Sequence, residues 1–164
     1  MPDLRQQLER SLRGRVCFLG LGNPAQGDDG FGVRLAEELQ AAGVPDVVIA
    51  ETTPERWIGQ LAEFDHVVFL DAVDCGGAAG STVFLNSEEM AVRFPQISTH
   101  KISLGVLAKW VAANGTTKVW LLGAQPESLR PSRGLTPTVQ TTLDLLSGML
   151  CSLSGTSQLA GVQP

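Results

Sequence analysis

Five short apolar runs alternate along this chain with stretches whose apolar residues recur at helical spacing. That alternation constrains the fold more than any other feature. Parallel strands need a crossover of a dozen or more residues between them, and an amphipathic helix is the usual one. Val16, Cys17, Phe18, Leu19, Gly20 and Leu21 form the first run, an unbroken apolar stretch that suits a strand buried on both faces. Val47 to Ala50 is the second run, His66 to Asp71 the third, Ser81 to Leu85 the fourth and Lys118 to Gly123 the fifth. Only about nine residues separate the third run from the fourth, fewer than a parallel crossover needs. The fourth strand is therefore expected to run antiparallel, towards an edge of the sheet.

Between the runs, Phe31, Leu35 and Leu39 fall at i, i+4 and i+8 and define one helical face. Asp28 or Asp29 is available as its N-cap and Gly43 as its C-terminal cap, with Pro45 just beyond. Thr53-Pro54 starts the next helix, with Trp57, Ile58 and Leu61 facing inward. A short helix is expected over 87–92 and a longer one over about 102–113, with Val106 and Trp110 on its apolar face. The last helix starts at Thr136-Pro137 and carries Val139, Leu143, Leu146 and Leu150. Small and polar residues follow, so the reading is a single α/β domain over 1–152 and a flexible tail over 153–164. The fold class expected is an α/β three-layer sandwich: a mostly parallel five-stranded sheet with one antiparallel strand and helices on both faces.

With 164 residues the chain is one domain with a proper core. Its 12 Lys and Arg against 17 Asp and Glu leave a net charge of −5, which argues against broad electrostatic binding of nucleic acid or anionic membrane. Cys17, Cys75 and Cys151 are far apart and form no C-x-x-C pair, so neither a disulfide framework nor a zinc finger is expected. The polar start, with Arg5, Arg10, Arg13 and Arg15, lacks the apolar stretch of a signal peptide. No run approaches the ~18 apolar residues of a membrane span. A cytoplasmic protein without membrane insertion is expected.

Ligand sites in open α/β sheets lie beyond the carboxyl ends of the parallel strands. Three stretches stand out: the loop from Gly20 to Gly32 with Asp28-Asp29, the end of the third strand at Asp71 with Asp74, and Ser98-Thr99-His100-Lys101 ahead of a helix. Each has an ordinary reading. The glycines make a turn, Asp28 or Asp29 caps a helix, Asp71 caps a loop, Asp74 shapes the turn at Gly76, and His66 is a surface residue beside Asp65. A dinucleotide-binding reading of Gly20-x-Gly22 is opposed by Pro24 and by two acids where a pyrophosphate would sit. Taken together, Asp29, Asp71 and His100 supply two carboxylates and one imidazole. Two carboxylates in one cleft repel unless a cation relieves them. Such a donor set suits a borderline divalent metal such as nickel or zinc, with open coordination positions. Asp28, Asp29, Asp71 and Asp74 would then concentrate part of the acidic excess at one end of the sheet.

The ordered set Gly22-Asn23-Pro24, Gly27-Asp28-Asp29-Gly30-x-Gly32, Asp71-Ala72-Val73-Asp74-x-Gly76, Thr99-His100, Gly123-x-Gln125-Pro126-Glu127 and Gly134 to Val139 resembles the nickel-iron hydrogenase maturation endopeptidases. The resemblance covers most of the chain. It implies a protease that removes a carboxy-terminal extension from a hydrogenase large-subunit precursor after the metal centre is inserted, recognising nickel that the substrate supplies. It carries the metal contacts to Asp29, Asp71 and His100, and makes Asp29 and Asp71 the catalytic candidates of an aspartyl-type protease. Such a set also accepts other divalent metals in place of nickel. The chain departs from many relatives after the second strand, where a glycine-rich loop is replaced by Glu51-Thr52-Thr53-Pro54-Glu55. Two mechanisms stay open: a metal that polarises the scissile carbonyl and activates water, or nickel that only docks the substrate while a carboxylate acts as base. Serine or cysteine nucleophiles fit less well, since there is no Gly-x-Ser-x-Gly elbow. Two alternatives are a nickel-binding chaperone or sensor without hydrolysis, and a peptidyl-tRNA hydrolase, which shares the opening Gly20-Leu21-Gly22-Asn23-Pro24. The absence of any Tyr and the negative charge oppose the latter.

Overall fold

The structure, a computed structural model, describes residues 3–94, 103–113 and 115–162, with side chains as far as Ser154. Five strands form one sheet in the order β2-β1-β3-β5-β4, with β1 Val16–Leu21, β2 Val47–Glu51, β3 His66–Ala72, β4 Thr82–Asn86 and β5 Lys118–Ala124. The pairings β1·β2, β1·β3 and β3·β5 are parallel, and β4 pairs antiparallel with β5 at the edge. The short link from Ala72 to Thr82 thus returns the chain in the direction its length requires.

Two apolar layers flank the sheet. On one side α1 (Leu4–Ser11), α2 (Phe31–Ala41) and α6 (Pro137–Val162) pack against Phe18, Val68, Leu70, Leu122 and Ala124. On the other, α3 (Ile58–Leu61), α4 (Ser87–Arg93) and α5 (Leu104–Ala112) pack against Cys17, Leu19, Leu21, Val67, Phe69 and Leu121. Successive strand residues alternate between the layers, as the pleat demands. Phe31, Leu35 and Leu39 of α2 are fully buried, each contributing about 1.5–3 kcal/mol of apolar burial. The helix ends in a Schellman turn. Val44 N–H reaches Leu39 C=O, Gly43 N–H reaches Gln40 C=O, and Gly43 takes a φ of 92°.

Four local expectations need correction. No aspartate caps α2: its N-cap is Gly30, without a side-chain bond, because a 3-10 turn at Gly27–Gly30 precedes it and the acids of that turn have other partners. The segment after Thr53 starts as a 3-10 turn, Pro54–Trp57, and only its second half, the four residues of α3, is α-helical. On α5 the buried residues are Leu107, Ala108 and Val111, while Trp110 is 45% exposed. Ile102, where that helix was expected to start, lies outside the described residues. His66 is buried rather than superficial: its Nδ1 accepts the Trp120 indole N–H at 3.0 Å, and Trp120 stacks on Phe84. The sequence reading also passed over α1, whose Asp3 and Gln6 make a capping box and whose Leu8 is buried.

Candidate active site

The strand order reverses at β1, whose neighbours β2 and β3 lie on opposite sides. Beyond the carboxyl ends of β1 and β3 the crossovers diverge and open a crevice, the place where open α/β sheets bind ligands. The chain puts Gly22 to Gly30 after β1 and Asp71 near the end of β3. Asp71 is 3% exposed and paired in register with Gly123 of β5. Gly22, at φ 117°, turns the chain out of β1 between these elements, and a Cβ placed on it would collide with the Asp29 carbonyl oxygen and come into contact with Asp71 Oδ1. A side chain there would push away the loop that carries Asp29. Glycine is needed both for the turn and for the space.

The two adjacent acids of this loop differ completely. Asp28 is fully buried and accepts four hydrogen bonds: Thr136 N–H at 2.7 Å on Oδ1, and Glu127 N–H, Ser128 N–H and Thr136 O–H at 2.9, 3.1 and 2.8 Å on Oδ2. Burial alone would raise its pKa, but these donors outweigh it and hold the carboxyl below its ordinary value. Asp28 is thus the clamp that fixes the loop from 127 to 136, and it is removed from the set of acids expected to await a cation. Asp29 is half-buried, and its Oδ2 accepts Asn23 N–H at 2.8 Å, closing the Gly22-Asn23-Pro24 turn. Asp74 is exposed, and its Oδ1 accepts Gly76 N–H at 3.2 Å, the turn-shaping role read from sequence.

Asp71 borders a cleft of about 20 Å³, lined also by Leu21, Gly22, Glu51, Thr52, Pro54, Leu104 and Leu107. That is room for about one water-sized particle. Glu51 was named in the sequence only as part of a divergent loop. Here it adds a third carboxylate-bearing residue to the rim, and it is the only non-glycine residue at positive φ among those described, at 53°. Gln125 was quoted as a motif residue without a role. Its Oε1 accepts both Cys75 N–H at 2.7 Å and Cys75 S–H at 3.3 Å, tying the loop after β3 to the end of β5. Cys17 is no nucleophile: burial first, then the charge of Asp46, push its thiol up to about 12. A larger hollow of about 610 Å³ lies at the opposite end of the sheet, between α1, the start of β1 and α6, and contains none of these residues.

The fold thus brings the Asp29 backbone and the Asp71 carboxylate to Gly22, at the end of β1. His100 lies outside the described residues, and among those described no three of His, Cys, Asp and Glu cluster as a metal site. No helix of the described residues is long and apolar enough to cross a membrane.

Residues 33–153 match the family model HycI, hydrogenase maturation protease. The match includes Asp71 and His100 and begins just after Asp29. The hydrogenase 2 maturation protease of Escherichia coli K12 is 33% identical over 138 residues, covering 79% of this chain and 84% of that protein. The crystal structure of the [NiFe] hydrogenase maturation protease HycI from Thermococcus kodakarensis superposes with a TM-score of 0.79 at 28% identity, covering 91% of this chain and 99% of that one. The hydrogenase maturating endopeptidase HybD from E. coli superposes with a TM-score of 0.72 at 30% identity, covering 87% and 93%. These relatives decide for peptide-bond hydrolysis over the tRNA hydrolase and over a chaperone without activity. The chain belongs to the hydrogenase maturation protease family and is a peptidase.

Proposed function

We propose that this peptidase removes the carboxy-terminal extension of a nickel-iron hydrogenase large-subunit precursor and recognises nickel carried by that substrate through Asp29, Asp71 and His100. The observation that supports the reading is that the Asp29 backbone and the Asp71 carboxylate both flank Gly22, beyond the ends of β1 and β3. Two carboxylates and an imidazole make a donor set suited to a borderline divalent ion, and the cleft beside Asp71 has space of ionic size. His100 is four residues before Leu104, which lines that cleft. A divalent ion held there supplies positive charge that polarises a neighbouring carbonyl.

The chain's own residues do the rest. Asn23 N–H holds one oxygen of Asp29 and orients that carboxylate. Asp71, 3% exposed, lines the cleft as the candidate base. One carboxylate of the pair takes a proton from water as its oxygen bonds to the scissile carbonyl carbon. The C–N bond then breaks, and the proton passes to the departing amine. The apolar wall of Leu21, Leu104 and Leu107 limits water at this point.

The test is processing of nickel-loaded precursor, followed by its mobility shift on a gel. Asp71→Asn and His100→Ala are expected to lower the cleavage rate by about 100-fold or more, with unchanged melting temperatures. Wild-type rates in both variants would refute the site. A precursor that binds the wild-type chain but never shortens would refute the proteolytic role.

A further inference from the structure

The loop between β5 and α6 presents six consecutive exposed residues, Leu129, Arg130, Pro131, Ser132, Arg133 and Gly134. Exposure usually accompanies mobility, yet this loop is held at both ends and in its middle. Asp28 clamps Glu127, Ser128 and Thr136. Gly27 N–H donates to Ser132 C=O and Ser132 N–H to Ala25 C=O, so the loop lies as a short parallel bridge against the turn that carries Asp29. Arg34 of α2 donates to Arg133 C=O at 2.7 Å. Ser128 Oγ and Ser132 Oγ accept the N–H groups of Arg130 and Gly134.

The backbone is fixed while the side chains point outward. Arg130 and Arg133 are the only charged residues between Glu127 and Asp144. Neither guanidinium has a carboxylate in ion-pair reach among the described residues, where the ion pairs formed are Arg5 with Glu9 and Arg34 with Glu37. Two unpaired guanidiniums on a chain of net charge −5 are a local reversal of sign. Leu129 beside them is 52% exposed. A fixed loop with an apolar residue and two arginines has the composition of a protein contact, where arginine is enriched and little ordering is lost on binding.

We infer that Leu129, Arg130 and Arg133 form a docking shelf for an acidic segment of the protein substrate, beside the crevice that holds Asp29 and Asp71. This rests on the reading above that the substrate is a protein precursor delivered to that crevice. Glu127, at the start of the loop, limits how far an acidic segment extends towards β5. The guanidiniums contribute mainly to capture of the precursor and to orientation of its tail. They take no part in bond cleavage, so they govern KM and its salt dependence, not kcat.

The experiment uses the full chain and its nickel-loaded large-subunit precursor. Binding is read by biolayer interferometry and cleavage by steady-state rates, both at low and at high salt. The variants are R130E, R133E and their combination, with R10E on α1, which leads into the other end of β1, as the control charge-matched to each single variant. The double variant is expected to bind the precursor about tenfold or more weakly at low salt, to lose the salt dependence of the wild type, and to keep kcat and melting temperature. R10E is expected to match the wild type. Equal affinity and equal salt dependence in wild type and double variant overturn the inference, as does an equal loss in R10E. If the wild type binds but does not cleave, the proteolytic reading fails while the binding arm still decides on the shelf.

Discussion

Asp28 and Asp29 are adjacent and chemically identical, yet the fold gives them opposite duties, and nothing in their sequence separates them. The difference arises 100 residues away: Glu127, Ser128 and Thr136 deliver their donors to Asp28 alone. Asp28→Asn keeps the shape but leaves an amide nitrogen facing N–H donors. We expect it to cost about 2–4 kcal/mol at neutral pH, measured by urea unfolding. Because the folded-state pKa of Asp28 is depressed, the stability it contributes is complete above its ordinary value near 3.8 and is lost as the pH falls through the lowered value. The gap between wild type and variant should therefore close only in strong acid. A gap that closes already near pH 5 would show that the clamp is not ionised. Glu51 marks another limit of the sequence at this scale, since a left-handed backbone at a glutamate leaves no compositional trace.

Among the elements, the strands were the most legible, because unbroken apolar runs of this length fit little but a sheet buried on both faces. The edge position and reversed direction of β4 followed from the length of one connection. The face of α5 was misread because leucine, valine, alanine and tryptophan occupy nearly all its positions, so several phases look equally apolar. α1 went unread although Leu4, Leu8 and Leu12 keep helical spacing, because polar residues dominate its composition. Of the site, the acids at the strand ends were legible by rule of topology. The hydrogen bonds around them were not, since Thr136 reaches Asp28 and Gln125 reaches Cys75 only where the folded chain brings distant segments together.

His66 shows how one such partner couples elements. It starts β3, accepts from Trp120 on β5, and takes a further backbone bond at Arg13 ahead of β1. Accepting the indole proton requires an unprotonated Nδ1. Burial first, with help from Lys118, lowers its pKa against the opposing effects of the Arg13 bond and Asp65. With the folded pKa below the unfolded one, the unfolded chain binds the extra proton. Stability is complete above the ordinary value of 6.5 and declines as the pH drops below it, until the lowered folded value is reached. The urea midpoint is expected to fall between pH 6.5 and the lowered value, and His66→Asn, which keeps an acceptor without the titration, should remove that fall. An identical pH profile in the variant would assign the effect to other groups.

At the scale of the whole molecule, the proposed catalytic crevice and the packing of α1 lie at opposite ends of one sheet. The crevice with Asp29 and Asp71 lies beyond the carboxyl ends of β1 and β3, whereas α1 packs at their amino-terminal side with Leu8 in the cluster of Phe18, Val44 and Leu150. Leu8 is 1% exposed, so its truncation leaves a hole that the rigid sheet cannot close. Leu8→Ala should cost about 2–5 kcal/mol and lower the melting temperature by roughly 10 °C. The sheet transmits little of this to the rim, because the loops there are fixed by their own hydrogen bonds, those of Asp28 above all. Cleavage of the precursor well below the transition should therefore proceed at the wild-type kcat/KM. Measured together, a lowered melting temperature and an unchanged kcat/KM would establish that the two ends are energetically separate. A cleavage rate that falls in step with stability, at a temperature where the variant is fully folded, would show instead that the crevice depends on the packing of α1.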